Sequence, residues 1–229
     1  MIQALKENFQ LSSLTRYSGS KRIRINSRVF GIIEGDVLKI LPRVIPDYLL
    51  PSTDYKLIGN IPYYITGHLL RKVGELEKKP KLIVFTIQKE VAERIVAEPP
   101  KMNLLAASVQ FWGKPKIVGY VSKKSFRPQP KVDSAIIKIT PYHLPRHGGV
   151  SDMKDGRKLA AEKYYKFIKI LFKQPRKTIL NNLREGFKLS QKEIEKRLQK
   201  LEISPSLRPA NLSMSDINKL TAIFRNKRV

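Results

Sequence analysis

Cysteine is absent from this sequence of 229 residues, and histidine occurs only three times. Without cysteine the chain can form no disulfide bridge and no thiolate metal site, which fits a protein of a reducing compartment. The three histidines, His68, His143 and His147, are too few to favour a histidine metal site. We therefore expect no bound metal.

Long apolar runs are absent as well. No run approaches the ~20 residues that a membrane-spanning helix needs, and Lys6 and Glu7 lie where the apolar stretch of a signal peptide would be. We therefore expect a cytoplasmic protein that does not enter a membrane. The hydrophobic content of 41% supports a buried core, and the length allows one large domain or two modest ones.

Acidic residues are scarce relative to basic ones. The chain has 45 Lys and Arg against 19 Asp and Glu, which gives a formal net charge of +26. Such an excess favours a polyanionic partner, with nucleic acid ahead of a membrane surface.

Short apolar runs alternate with stretches of helical spacing through the first part of the chain. The pattern predicts strands at 29–34, 57–58, 81–87, 116–121 and 135–139, and helices at 1–9, 65–73, 88–97 and 103–112. The polar and basic segment 10–28 is predicted to be a mobile loop. Because strands that alternate with helices indicate βαβ units, we predict an α/β fold with a parallel sheet.

The turn after the strand at 57–58 combines polar and aromatic groups. It reads Gly-Asn-Ile-Pro-Tyr at 59–63, and the order of strand, turn and helix places it where open α/β sheets bind ligands. Asn60 offers a carbonyl acceptor, Pro62 stiffens the turn, and Tyr63 offers a flat ring on which a base can stack. The alternative is an ordinary strand-to-helix turn with a buried tyrosine.

Asp36 and Phe126 are two further candidates. Asp36 follows a predicted strand, where its carboxylate could accept hydrogen bonds from a nucleoside, although Gly-Asp is also common turn chemistry. Phe126 begins a loop that Pro128 and Pro130 stiffen just before the strand at 135–139. Base stacking and ordinary packing both stay open for this ring.

Three motifs resemble, in order and spacing, those of the ribosomal RNA adenine dimethyltransferases. They are Gly-Asn-Ile-Pro-Tyr at 59–63, Gln-Lys-Glu-Val-Ala-Glu-Arg at 88–94 and Phe-Arg-Pro-Gln-Pro-Lys-Val-Asp-Ser at 126–134. Residues 130–134 and Arg-Lys-Thr-Ile-Leu-Asn-Asn-Leu at 176–183 are similar to the small-subunit branch rather than to the large-subunit enzymes of macrolide resistance. The resemblance covers nearly the whole chain and implies a Rossmann-like sheet and S-adenosylmethionine as the cofactor.

The resemblance also implies catalytic roles for individual residues. Asn60 and the backbone carbonyls of Ile61 and Pro62 would accept hydrogen bonds from the amino group of the target adenine. Tyr63 would stack on that base, and Phe126 would close its other side. Acceptors on both amine hydrogens favour a pyramidal and nucleophilic amine, and no metal is needed.

The sequence departs from the family pattern before Asp36. Such enzymes open with a strand, a glycine-rich cofactor loop and a second strand, and no Gly-x-Gly precedes Asp36 here. Asp36 matches the family acid that binds the adenine of the cofactor, and Asn60 would complete the cofactor side. We expect a fragment of a longer protein, or a degenerate relative, with a sheet that is incomplete at the N-terminus. We also expect these 229 residues alone to be inactive.

The last part of the chain is predicted to be helical. Lys166, Lys169 and Lys173 recur at spacings of three and four, opposite an apolar face. The apolar face carries Tyr164, Ile168 and Leu171. With Arg176 and Lys177, the three lysines form a candidate RNA-binding surface, although a charged stripe can also be no more than a solvated face.

Local patterns predict where the helices of this part begin. Pro175 suits the first turn of one helix. Ser190 with Glu193, and Ser213 with Asp216, match the pattern that caps the first turn of two further helices.

Together these features predict a partial methyltransferase domain at 1–142, a linker at 143–156 and a helical RNA-binding domain at 157–229. The function implied is the transfer of methyl groups from S-adenosylmethionine to the exocyclic N6 of adenines in small-subunit ribosomal RNA. The target adenine would be unpaired or flipped out. We expect the protein to be a monomer that acts in ribosome biogenesis. One alternative is a non-catalytic RNA-binding ribosome-assembly protein that has lost the cofactor loop. A DNA adenine methyltransferase is disfavoured by the basic tail and the Phe126 loop.

Overall fold

The computed structural model describes residues 15–17, 20–25, 28–32, 35–48, 54–142 and 152–224. The predicted helix at 1–9 lies outside these residues. The chain divides into two compact units, Met1–Asp47 and Tyr48–Val229. No helix in the described part of the chain is both long enough and apolar enough to cross a membrane.

The first unit contains a small antiparallel sheet. Its strands are β1 (Thr15–Tyr17), β2 (Ser20–Ile25) and β3 (Arg28–Ile32), in the order β1-β2-β3, and helix α1 (Val37–Tyr48) follows. The predicted strand at 29–34 is confirmed in β3. The prediction of a mobile loop at 10–28 is wrong where β1 and β2 lie. Basic and apolar residues alternate along β2, a strand period that the high charge of the segment concealed.

The second unit contains a four-stranded sheet. Its strands are β4 (Lys56–Asn60), β5 (Leu82–Gln88), β6 (Gly113–Val121) and β7 (Ser134–Pro141), in the order β4-β5-β7-β6. β4 and β5 are parallel, whereas β7 is antiparallel to both β5 and β6. The α/β fold is confirmed, but the prediction of a wholly parallel sheet is wrong. No α-helix lies between β6 and β7 to carry the chain back across the sheet, so β7 returns antiparallel.

Three helices accompany this sheet: α2 (Thr66–Glu75), α3 (Lys89–Ile95) and α4 (Leu104–Gln110). Buried residues alternate along β5, and α3 and α4 contact strands of the sheet. Ile83, Phe85, Ile87 and Ile137 are each at most 1% exposed. Burial thus recurs at every second residue, as expected for strands. The ends of β4, β5 and β7 are thereby held on an apolar core.

The helical tail consists of α5 (Asp152–Leu171), α6 (Ile179–Phe187), α7 (Gln191–Gln199) and α8 (Met214–Phe224). These helices share one apolar core with residues of the segment around α4, among them Met102, Ala106 and Ala107. Because α5 begins at Asp152, it occupies the end of the predicted linker at 143–156. The predicted division into domains stays a prediction.

Helix caps in the tail follow local sequence closely. Ser190 and Glu193 form the predicted capping box of α7, and the Ser213 Oγ accepts a hydrogen bond from the Asp216 backbone N–H at 3.1 Å before α8. The prediction that a helix begins at Pro175 is wrong. Helix α6 starts after Thr178, whose hydroxyl caps it by accepting a hydrogen bond from a backbone N–H.

Gly186 allows α6 to approach α5 closely. A Cβ at this position would clash with the Ile170 Cγ2 and lie 3.1 Å from its Cβ. We expect Gly186→Ala to lower the free energy of unfolding by about 1–3 kcal/mol, because neither helix can move without disturbing the shared core. Chemical denaturation measures the change.

Gly67→Ala in α2 is the matched control for this prediction. A Cβ there would meet nothing within 4 Å, so the better helix propensity of alanine should stabilise the protein by up to ~1 kcal/mol. Equal stabilities for the Gly186→Ala variant and the native protein would contradict the close packing of α5 and α6.

Candidate functional site

The three motifs converge at one edge of the four-stranded sheet. Asn60, the last residue of β4, lies opposite Thr86 near the end of β5. Ser134, the first residue of β7, lies between Gln88 of β5 and Val121 of β6. Because β7 is antiparallel, its amino end lies beside the carboxyl ends of its neighbours. The sheet therefore brings together segments that are far apart in the sequence.

Backbone hydrogen bonds fix the turn that follows Asn60. The Ile61 N–H donates to the Thr86 carbonyl at 3.0 Å, and the Ile65 N–H donates to the Pro62 carbonyl at 3.1 Å. The second bond closes a 3₁₀ turn (Tyr63–Ile65) that leads into α2. The Asn60 side chain is exposed, and the Pro62 carbonyl keeps a second lone pair. Both positions can therefore still accept a hydrogen bond from a ligand.

Tyr63 is bonded to the opposite strand. Its hydroxyl shares a hydrogen bond of 2.8 Å with the Ser134 Oγ. Ser134 is fully buried, whereas the tyrosine is half-buried. Tyr63 is thus fixed at its backbone by the turn and at its hydroxyl by β7. Sequence reasoning missed this role of Ser134, for which the only signal was a polar residue at the start of an apolar strand.

Asp133 fastens the loop that carries Phe126. Its Oδ1 accepts a hydrogen bond from the Lys123 N–H at 3.0 Å, and its carbonyl accepts one from the Lys89 N–H at 3.0 Å. Lys123 begins a 3₁₀ turn (Lys123–Ser125) directly before Phe126, which is half-buried. The loop is therefore attached to both α3 and β7. The stacking role of Phe126 stays a prediction.

An open surface cavity of about 330 Å³ lies beside these segments. Its lining mixes charges of both signs, because Lys89, Lys123 and Lys131 face it together with Glu90, Glu93 and Asp133. This balance does not favour a site for a free anion. Among the described residues, no group of three or more His, Asp and Glu could hold a metal ion.

Asp36 lies in the first compact unit and Asn60 in the second. The Asp36 Oδ1 accepts a hydrogen bond from the Leu38 N–H at 2.9 Å, and its carbonyl accepts one from the Ile40 N–H at 3.0 Å. Asp36 therefore caps the start of α1, the turn chemistry that its sequence also allowed. The residue is exposed, and its role in cofactor binding stays a prediction.

The predicted division of α5 into two faces is confirmed. Lys166 and Lys169 are exposed on it, as is Lys173 just beyond its end. The opposite residues Tyr164 and Ile168 are at most 1% exposed. The burial pattern thus leaves Lys166 and Lys169 available to a partner, whereas Lys173 is exposed but paired with Glu185. Phosphate binding itself stays a prediction.

An acidic residue lies against this basic surface. The Lys173 Nζ is 2.6 Å from the Glu185 Oε1, and this hydrogen bond lowers the pKa of the Glu185 carboxyl below its ordinary value. Arg176 and Lys177 are exposed nearby in the sequence. Arg184 and Lys177 line a second open cavity, so Arg184 extends the predicted surface. Lys177 lies before α6 and Arg184 within it, so their spacing in the sequence gave no helical signal for Arg184.

Comparison with known proteins identifies relatives over most of the chain. The family model described as ribosomal RNA adenine dimethylase matches residues 19–225. The ribosomal RNA small subunit methyltransferase A of Dehalococcoides mccartyi is 37% identical over 195 residues, which are 85% of this chain and 63% of that protein. The protein of the same name from Mycoplasma capricolum is 37% identical over 226 residues, 96% of this chain and 73% of that protein. The chain thus spans less than two thirds of the Dehalococcoides relative.

Two solved structures are similar to this chain in fold. A dimethyladenosine transferase from Plasmodium falciparum superposes with a TM-score of 0.60 and 26% identity, over 82% of this chain and 69% of that one. The 23S rRNA methyltransferase ErmE superposes with a TM-score of 0.54 and 19% identity, over 82% of this chain and 77% of that one, which supports the fold alone. The fold is therefore the Rossmann-like α/β fold of rRNA methyltransferases. By its matching family model and its curated relatives, the chain belongs to the ribosomal RNA adenine dimethylase family.

Proposed function

We propose that this protein transfers methyl groups from S-adenosylmethionine to the exocyclic N6 of adenines in small-subunit ribosomal RNA. The observation that carries the proposal is the convergence of Asn60, Tyr63 and the loop of Phe126 at one edge of the sheet. The names of the curated relatives support the small subunit as the source of the RNA.

The turn at Asn60 suits the chemistry of an aromatic amine. The lone pair of adenine N6 is delocalised into the ring, so the amine is a poor nucleophile until its hydrogens are bound by acceptors. The exposed Asn60 side chain and the carbonyls of Ile61 and Pro62 supply such acceptors on a turn that backbone hydrogen bonds fix. Preorganised acceptors cost no reorganisation at the moment of reaction. Tyr63 would bind the face of the base.

Two residues are proposed to contact the cofactor, and each is described within its own compact unit. Asp36 is an exposed carboxylate with Oδ1 engaged by a backbone N–H, and a carboxylate can accept further hydrogen bonds from an adenine amine or ribose. Asn60 would lie at the reacting end, where its amide offers both donors and acceptors. S-adenosylmethionine, when bound, supplies an electrophilic methyl group.

RNA binding is proposed for the basic residues of the helical tail. This tail would form a domain at 157–229, after a methyltransferase domain at 1–142 and a linker at 143–156. The exposed lysines of α5 and the net charge of +26 support phosphate contacts. The target adenine must be unpaired or flipped out, because its amino group is otherwise used in pairing. We place the protein in the cytoplasm, as a monomer that acts during ribosome biogenesis.

A labelled-methyl assay tests the proposal. The protein, expressed from its complete coding region, is incubated with methyl-labelled S-adenosylmethionine and with unmodified small or large ribosomal subunits. We expect label in small-subunit RNA and none in large-subunit RNA. Tight binding to small subunits without transfer would contradict catalysis and favour a non-catalytic assembly protein.

The contribution of the basic surface can be measured separately. Changing Lys166, Lys169 and Lys173 to Gln should weaken RNA binding for any sequence and flatten its dependence on salt by about 2 units of slope, because each phosphate contact releases counterions. RNA titrations at several salt concentrations measure the slope.

A second set of lysines provides the matched control. Lys192, Lys196 and Lys200 are exposed at spacings of four along and just beyond α7. Their change to Gln removes the same charge and should have the smaller effect. Equal slopes for the two triple variants would mean that net charge, and not the surface on α5, sets RNA affinity.

A further inference from the structure

We infer that Asp133 and Ser134, adjacent at the start of β7, are positioning residues that set the two aromatic side chains of the adenine site. Ser134 would orient Tyr63, and Asp133 would orient the loop of Phe126. The inference rests on the proposed function, since it assigns a role in presenting the same adenine.

The hydrogen bond between Ser134 and Tyr63 has a geometry suited to this role. The two oxygens lie 2.8 Å apart, and Ser134 is 0% exposed. A buried hydroxyl needs a partner, and that partner is the tip of the ring proposed to stack on the base. The bond therefore fixes the position of the Tyr63 hydroxyl and so the direction of the ring axis, and it does not involve the ring face proposed to bind the base.

Asp133 would act on Phe126 through the backbone. Its carboxylate binds the Lys123 N–H, and the Phe126 N–H donates to the Lys123 carbonyl at 3.3 Å. Its own carbonyl binds the first residue of α3, Lys89. Loss of the carboxylate would release the turn before Phe126 while leaving the attachment to α3 in place.

The rigidity of β7 explains why one dipeptide can position both rings. Ser134 is paired on both sides, with Gln88 of β5 and Val121 of β6. A residue in a central strand moves less than one in a loop, so functional groups attached to it are positioned more accurately. An error of about 1 Å in such a site can lower the rate ~100-fold.

A double-mutant cycle tests the pair Ser134 and Tyr63. Ser134→Ala and Tyr63→Phe each remove one of the two hydroxyl groups that form the hydrogen bond. An aromatic ring stays at position 63 in both variants. We expect each to lower kcat for adenine methylation about 10- to 100-fold, with little change in the KM for RNA. The double variant should be no slower than the slower single variant, because both changes remove the same interaction. Losses that multiply would overturn the inference.

A spectroscopic readout separates positioning from general destabilisation. RNA with 2-aminopurine in place of the target adenine should be strongly quenched when bound by the native protein, because the base stacks on the rings. Ser134→Ala should bind this RNA equally tightly but quench it less. Unchanged quenching would overturn the role of Ser134.

The role of Asp133 is tested by a conservative pair. Asp133→Asn keeps an oxygen that can accept from the Lys123 N–H and should retain most of the turnover, whereas Asp133→Ala should lose at least tenfold. Thr221→Ala, which removes one hydrogen bond from the Thr221 hydroxyl to the Ile217 carbonyl in α8, is the matched control and should methylate normally. Equal activity of the two Asp133 variants would overturn this half of the inference.

Failure of the inference can be told apart from failure of the proposed function. If the native protein methylates adenine and the Ser134→Ala and Asp133→Ala variants are fully active, the inference alone is overturned. A native protein that methylates no adenine overturns both.

Discussion

Replacing Asn60 with alanine is expected to lower methyl transfer ~100-fold or more, the usual cost of losing one preorganised polar contact to a reacting group. RNA affinity should be nearly unchanged, because Asn60 acts on the amine and not on phosphates. The side chain is exposed at the end of β4, and backbone hydrogen bonds fix the turn after it. Its removal should therefore alter the chemistry without altering the fold.

Single-turnover kinetics with bound RNA measures this effect. Asn60→Asp keeps an acceptor and should retain more activity than Asn60→Ala. Lys56→Ala, an exposed change at the other end of the same strand, is the matched control and should methylate normally. Turnover of the Asn60→Ala variant within a few-fold of the native rate would remove Asn60 from the mechanism.

Replacing Tyr164 with alanine is expected to lower the free energy of unfolding by about 3–5 kcal/mol, as for other large aromatic residues in cores. Tyr164 is 1% exposed, and its ring stacks on Phe111 with the centroids 3.8 Å apart. Its hydroxyl donates to the Ala107 carbonyl of α4 at 2.9 Å. Burial raises the pKa of this hydroxyl above its ordinary value. This side chain therefore joins the helical tail to the helices of the sheet.

Denaturant titration resolves the two parts of this contribution. Tyr164→Phe removes only the hydrogen bond and should cost about 1 kcal/mol. Tyr142→Ala, at a tyrosine that is 51% exposed, is the matched control and should lie within about 0.5 kcal/mol of the native protein. A cost below 1 kcal/mol for Tyr164→Ala would contradict a shared core between α4 and the tail.

Local patterns predicted the position of the turn at Asn60, because the order of strand, turn and helix fixes the polarity of β4. The meeting of this turn with the Phe126 loop was implied by the family resemblance alone, since a parallel sheet would have placed the start of β7 at the opposite edge. A strand that runs into a polar turn and then into a helix places that turn at the carboxyl edge of a parallel pair, as observed for Asn60 and for Gln88. The caps of α7 and α8 were also predictable, since the groups that form each cap lie within four residues.

Contacts between distant residues could not be predicted in this way. Ser134 and Tyr63 are 71 residues apart and meet only because β7 inserts antiparallel between β5 and β6. The pair of Lys173 and Glu185 likewise depends on how α5 and α6 pack. In the first unit, the alternation along β2 was present in the sequence, but the charge of the segment favoured a loop.

The most direct test of the account is the chemical identity of the methylated nucleoside. Small-subunit RNA is treated with S-adenosylmethionine and the protein expressed from its complete coding region. The RNA is then digested to nucleosides and analysed by mass spectrometry against adenosine standards methylated at each position. The account predicts adenosine methylated at N6, and its loss with the Asn60→Ala variant. Methylation at a ring nitrogen, at a ribose hydroxyl or on another base would contradict it, because the acceptors of the turn at Asn60 could not then be acting on an exocyclic amine.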